Sequence, residues 1–173
     1  MKEKTQFEED YGIDLSAPNL DISKAIEVAI EIEKMGKQFY EHHAEKADSE
    51  TRRFLEFLAR EEEKHINILE NLRKSLQERN VWTEVKQDGK IEEMIDRLET
   101  FKKNQKTKPS AVSAVIQSIE REKETRDFYL RLAENLKNEE GKRFFKSLAE
   151  WEQSHYELLS GILESETDFR MET

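Results

Sequence analysis

The chain carries one helix-forming pattern twice, and this repeat constrains its fold more than any other feature. Glu33-Lys34, Phe39-Tyr40 and Ala44-Glu45 recur as Glu122-Lys123, Phe128-Tyr129 and Ala133-Glu134, every pair 89 residues apart. Leu58-Ala59, Glu62 and His65 recur as Leu148-Ala149, Glu152 and His155, every pair 90 apart. A chain repeating so long a unit is expected to fold with pseudo-two-fold symmetry. Whatever one half places at the centre, the other half places there as well.

Each unit reads as a helical hairpin. There are only two prolines, Pro18 and Pro109, and five glycines, so long stretches run without a helix breaker. The apolar period predicts four long helices. The first runs from about Ser23 to Lys46 with Asp21 or Ser23 as its cap, and the second starts after Ser49 and runs to about Arg79. The third follows Pro109-Ser110, with Ser110 as its cap, and reaches about Leu136. The fourth starts after Asn138, with Glu139 and Glu140 in its first turn where acids suit the helix dipole, and ends near Ser165. The first and last connections are short, which predicts two antiparallel hairpins. The link over residues 80–109 is long enough for the second and third helices to run parallel. It includes an expected short amphipathic helix around Ile91, Met94, Ile95, Leu98 and Phe101. The expectation is an all-α chain, an antiparallel four-helix bundle over residues 21–165 with a long crossover. Residues 1–20 read as a loose acidic arm with Phe7, Tyr11, Ile13 and Leu15 as anchors, and residues 166–173 read as a tail.

Six polar residues interrupt the apolar stripes. The first helix gives Ile26, Ala29 or Ile30, Glu33, Gly36, Tyr40 and Ala44 at steps of three and four. The second gives Leu55, Leu58, Glu62, His65, Leu69, Leu72 and Leu76. The third gives Val115, Ile119, Glu122, Tyr129, Ala133 and Leu136, with Thr125 or Arg126 in the intervening turn. The fourth gives Phe145, Leu148, Glu152, His155, Leu159 and Ile162. Every long helix therefore has an acid on the face that should be buried, and two carry a histidine one turn later. Glu33 and the centre of Glu62/His65 are equidistant from a turn at about position 48, and Glu122 and the centre of Glu152/His155 from one at about position 138. Those are the two turns placed by capping, so all six residues fall in one layer.

Four carboxylates buried in one layer cost several kcal/mol each if unpaired, and mutual repulsion adds to that. Two divalent cations would cancel the four charges. Glu-x-x-His places both side chains on one helix face one turn apart. Mixed oxygen and nitrogen donors without sulfur favour iron or manganese over a structural zinc. The plainer alternative is solvated charge along helix edges. His42 and His43 lack a Glu three residues before them and read as surface histidines. Tyr40 and Tyr129 read first as core packing, with a hydrogen bond to one of the acids as the second reading. Trp82 and Trp151 have no assignable role beyond packing. Lys102, Lys103, Lys106 and Lys108 read as a solvated basic run, and Glu61-Glu62-Glu63 and Glu139-Glu140 as exposed acids, Glu62 excepted.

A formal net charge of −10 argues against nucleic acid and anionic membranes as partners. No apolar run approaches a bilayer span. Met1-Lys2-Glu3-Lys4-Thr5 has no apolar signal region behind it, so a cytoplasmic location is expected. The absence of cysteine excludes disulfides, thiolate metal sites and a cysteine nucleophile.

Over about residues 22–165 these motifs resemble the ferritin-like superfamily, and within it the rubrerythrin-type proteins. The motifs are Glu33-x6-Tyr40, Leu58-Ala59-x-x-Glu62-x-x-His65, Glu122-x6-Tyr129 and Leu148-Ala149-x-x-Glu152-x-x-His155. The superfamily pattern is one Glu from each of two helices and a Glu-x-x-His from each of the others. The resemblance implies a two-iron site in which Glu33 and Glu122 are terminal ligands, Glu62 and Glu152 bridge, and His65 and His155 bind one iron each. Full rubrerythrins also carry a cysteine-ligated rubredoxin iron, which this chain lacks, and a further acid beside the ligand matched to Glu122. Here the flanking positions are Ile119 and Thr125.

The leading functional expectation is a di-iron oxidoreductase. It would reduce hydrogen peroxide or O2 with electrons from a separate donor such as a rubredoxin-like protein, in a homodimer. A ferroxidase or iron-handling protein is the second expectation, and a metal-free helical interaction module is the third.

Overall fold

The computed structural model describes residues 3–86, 96 and 109–171. The described residues include helices α1 (Gln6–Asp10), α2 (Ile22–Lys46), α3 (Ser49–Arg79), α4 (Pro109–Asn135) and α5 (Glu139–Met171), with no strand among them. None of these helices is long and apolar enough to cross a membrane.

Local chemistry sets the helix ends. The Asp21 side chain accepts from the backbone N–H of Lys24, so Asp21 rather than Ser23 caps α2. Asp48 accepts from the N–H groups of Glu50 and Thr51, which makes Ser49 the first residue of α3, one residue earlier than expected. Asn80 closes α3 in the left-handed conformation at φ 54°. Helix α4 begins at Pro109 itself instead of behind a Ser110 cap. Proline suits a first helical position, where its fixed φ helps and no N–H bond is lost. The Asn138 side chain accepts from Gly141 N–H at 2.8 Å and caps α5. Glycine is required at 141, because a Cβ there would lie 2.8 Å from the Trp82 ring. Helix α5 runs past the expected end at Ser165 to Met171, taking in most of the expected tail. The expected crossover helix residues Ile91, Met94, Ile95, Leu98 and Phe101 lie outside the described residues, as do the four lysines that follow.

Helices α2 and α3 form one antiparallel hairpin, and α4 and α5 the other. Between the hairpins, Tyr40 meets Glu122 and Tyr129 meets Glu33. Advancing seven residues along α2 thus retreats seven along α4, so those two helices are antiparallel and α3 and α4 run parallel, as the long crossover permits. Two apolar clusters fill the bundle. One gathers Phe128, Tyr129, Phe144 and Phe145 with Ile26 and Leu72, and the other gathers Tyr40, Phe54, Phe57, Leu159 and Ile162. Each large side chain buried there contributes roughly 1.5–3 kcal/mol. The polar layer lies between the two clusters.

The N-terminal arm is docked, not loose. Thr5 and Glu8 form a reciprocal capping box at the start of α1. The buried Glu8 carboxylate also pairs with Arg131 Nε at 2.7 Å and accepts from Leu15 N–H at 3.1 Å. Phe7, Ile13 and Leu15 are buried as anticipated, with Phe7 edge-on to Phe128. The Thr5-x-x-Glu8 spacing marks Glu8 locally as a capping-box acid, but not as a buried one. Its partner Arg131 is supplied by α4.

Candidate metal centre

Glu33 from α2, Glu62 and His65 from α3, Glu122 from α4, and Glu152 and His155 from α5 meet in the central layer. None is more than 3% exposed. They form two overlapping groups: Glu33, Glu62, His65 and Glu152 in one, and Glu62, Glu122, Glu152 and His155 in the other. Within each group one potential ligand atom per residue lies within 4.8 Å of all the others. Glu62 and Glu152 belong to both groups. Glu33 with His65, and Glu122 with His155, belong to one group each.

Both histidines turn Nδ1 toward the carboxylates. His65 Nδ1 is 2.8 Å from Glu152 Oε1 and 3.6 Å from both Glu33 Oε2 and Glu62 Oε2. His155 Nδ1 is 3.3 Å from Glu122 Oε2 and 3.4 Å from Glu152 Oε2. The two imidazoles stack with centroids 5.5 Å apart. In the metal-free site, protons do the neutralising. Burial raises the Glu62 carboxyl well above the usual carboxylate range, and the neighbouring Glu33 and Glu122 add to it. Burial would lower both histidines, but the acids facing them outweigh it. His65 rises well above its ordinary value beside Glu152 and Glu33, and His155 rises to about 9 beside Glu122. Burial pushes the Glu122 carboxyl up, but His155 and the hydrogen bonds it receives hold it below the usual carboxylate value.

Each tyrosine serves the opposite hairpin. The buried Tyr40 hydroxyl donates to Glu122 Oε1, and the buried Tyr129 hydroxyl donates to Glu33 Oε1. Both are core residues and both also orient an acid of the layer, so the two readings of these side chains hold together. Burial, and then Glu122 or Glu33 respectively, raises each phenol well above its usual value.

Two departures from the sequence reading concern the back of the site. Glu61, expected on an exposed acidic face, is buried at 1%. It accepts from Trp151 Nε1 at 3.3 Å and pairs with Lys64. Trp151 does more than pack, for its ring also stands edge-on to His65 with centroids 4.8 Å apart. The signal was present but unused, since residues 61 and 151 are repeat counterparts and differ. Arg121 was also missed. Its guanidinium donates to the Ile32 carbonyl at 2.5 Å. His42 is exposed and His43 half-buried, with His43 Nδ1 against the Phe39 carbonyl at 2.8 Å.

The donor set fits a pair of metal ions. Both Glu152 oxygens, and His65 Nδ1 and Nε2, are buried without a hydrogen bond, although Glu152 Oε1 and His65 Nδ1 are only 2.8 Å apart. In the metal-free site a proton on His65 pairs these two atoms, and a metal ion drawing both would take that proton's place. Four carboxylates and two imidazoles in two groups sharing two members match the needs of two adjacent divalent ions. No curated protein and no solved structure matches the chain. A family model described as Rubrerythrin does, over residues 24–163, and the chain belongs to the rubrerythrin family.

Proposed function

We propose that the protein is a non-haem di-iron oxidoreductase that reduces hydrogen peroxide or O2 and takes its electrons from a separate protein donor. The observation that carries this reading is the overlap of the two ligand groups at Glu62 and Glu152. A single-metal site has no use for two shared carboxylates, whereas a pair of ions needs them as bridges. Glu33 and His65 would complete one ion's set, and Glu122 and His155 the other's. Manganese suits the same donors. When bound, the two irons supply two electrons and open positions for a small oxygen ligand.

The chain's own residues support that chemistry. The Tyr40 and Tyr129 hydroxyls fix the orientation of Glu122 and Glu33, so the carboxylates are in place before any metal arrives. The apolar clusters on both sides keep bulk water away from the layer. The sequence has no cysteine to hold a rubredoxin-type iron, which supports electrons coming from a separate donor.

Elemental analysis of wild type and two variants tests the assignment. Wild type is expected to hold about two irons per chain. Glu152→Ala should lose both because it removes a shared ligand, while Glu33→Ala should keep about one. Full metal content in Glu152→Ala would overturn the shared-ligand reading. With two irons bound, sustained peroxide consumption with a generic reductant is expected, and strict single turnover would argue for iron handling instead.

A further inference from the structure

The pseudo-two-fold symmetry is broken on the α2–α4 side of the layer. Residues 89 apart are counterparts, so Ile32 corresponds to Arg121, Gly36 to Thr125, and Tyr40 to Tyr129. The Arg121 side chain reaches the backbone of its own counterpart, donating to the Ile32 carbonyl, and so spans the axis between the halves. It can lie there because Gly36 has no side chain. A Cβ at Gly36 would stand 3.1 Å from Arg121 Nε, 3.2 Å from its terminal nitrogen and 3.4 Å from the Glu62 carboxyl carbon. On the other half, Thr125 fills the equivalent space and turns its hydroxyl back to the Arg121 carbonyl at 3.1 Å. The notch over Gly36 therefore adjoins a shared carboxylate on one side and a half-buried guanidinium on the other.

The opposite, α3–α5 side of the layer is closed. His65 and His155 stack there, and Trp151 lies against His65 with its indole tied to the buried Glu61. A small molecule seeking the carboxylate layer thus meets stacked rings from one side and a glycine notch from the other. Arg121 is half-buried and its guanidinium lies over Gly36, so a ligand arriving on this side meets the guanidinium first. It also acts electrostatically on both Tyr40 within the layer and Tyr11 on the N-terminal arm.

We propose that the Gly36 notch is the mouth of the metal site and that Arg121 is its anion-binding residue, admitting and holding small anions such as hydroperoxide. This rests on the two-metal reading above and adds the route and the charge preference of the ligand. The guanidinium offers several donors in a fixed plane and stays charged at any working pH. Its present bond to a backbone carbonyl is one it can give up to an incoming anion. A fixed positive charge favours a ligand held as an anion over one held neutral.

Azide is the probe, because its binding to diferric protein is read by absorption without any turnover. Three variants, each checked for helical content and iron content, make the test. Arg121→Gln removes the charge and should weaken azide binding by roughly tenfold or more. Gly36→Ala crowds the guanidinium by a few tenths of an ångström, and should weaken binding by more than twofold but less than Arg121→Gln does, while its helix is favoured. Arg121→Lys keeps the charge without the planar fork and should fall between wild type and Arg121→Gln. Arg121→Gln and Gly36→Ala both holding two irons and binding azide within about twofold of wild type would overturn the proposal and leave the two-metal reading standing. Wild-type protein that takes up no metal would overturn both.

Discussion

Metal-free protein should become less stable as the pH rises from about 6.5 to 9, against the usual tendency of a chain to be stable near neutrality. The cause is His155. Burial opposes its charged form, but the Glu122 and Glu152 carboxylates favour it more strongly, and its pKa rises from 6.5 to about 9. A histidine whose pKa is higher in the folded state stabilises the fold fully below its unfolded value. That contribution disappears as the pH climbs through the folded value. At about 1.4 kcal/mol per unit, the span from 6.5 to about 9 is worth roughly 3 kcal/mol. For a domain of this size each kcal/mol moves the melting temperature by about 2–4 °C, so a fall of about 6–12 °C is expected. His65 and Glu62 are raised as well and act in the same direction. Calorimetry on chelator-treated protein at about pH 6, 8 and 10 measures it, and His155→Gln should shrink the fall. A melting temperature that stays level or rises across this window would refute the reasoning. Metal should reverse the slope. Ions that occupy the layer displace the protons of His65, His155 and Glu62, so apparent metal affinity rises over the same pH range and loading in weak buffer releases acid.

Glu8→Ala should cost about 3–5 kcal/mol, because it strands the Arg131 guanidinium and removes the acceptor for Leu15 N–H. In denaturant unfolding, the Glu8→Ala/Arg131→Ala double variant should cost clearly less than the sum of the single ones, and simple additivity would show that the pair is not coupled. Tyr129→Phe should destabilise metal-free protein by about 1.5–3 kcal/mol, since it leaves a buried Glu33 oxygen without its donor. Thermal melts should show this loss reduced once metal is bound, because the ion then neutralises Glu33.

The six residues of the layer were legible because the sequence states them twice. Any one of them, say Glu33, could be an exposed acid at a helix edge. Its recurrence as Glu122, on the apolar stripe and at matching distance from a turn, is what local reading could use. The residues that escaped are those whose environment is supplied by the other half. Glu61 looks like its neighbour Glu63 until Trp151 of the second hairpin covers it. Glu8 reads locally as no more than a capping-box acid until Arg131 of α4 reaches it. Helix ends fared better because their chemistry is local, with an error of one residue at Ser49 and of two at Ser110. The end of α5 lay beyond Ser165 because no glycine or proline follows to stop it.

The contacts that bridge the symmetry axis have a consequence for what a fused repeat can do that two separate copies cannot. Arg121 needs the space over Gly36, and Trp151 needs Glu61 as its acceptor. Were the halves identical subunits, an arginine in one would confront an arginine in the other across the same gap, and a tryptophan would confront a tryptophan. There is room for one. Joining the hairpins in a single chain let the two copies of each axial position drift apart while the ligand positions, which lie in pairs on either side, stayed alike. The layer kept the economy of a symmetric cage. Its two faces now differ, one lined by stacked rings and the other by a glycine beneath a positive charge.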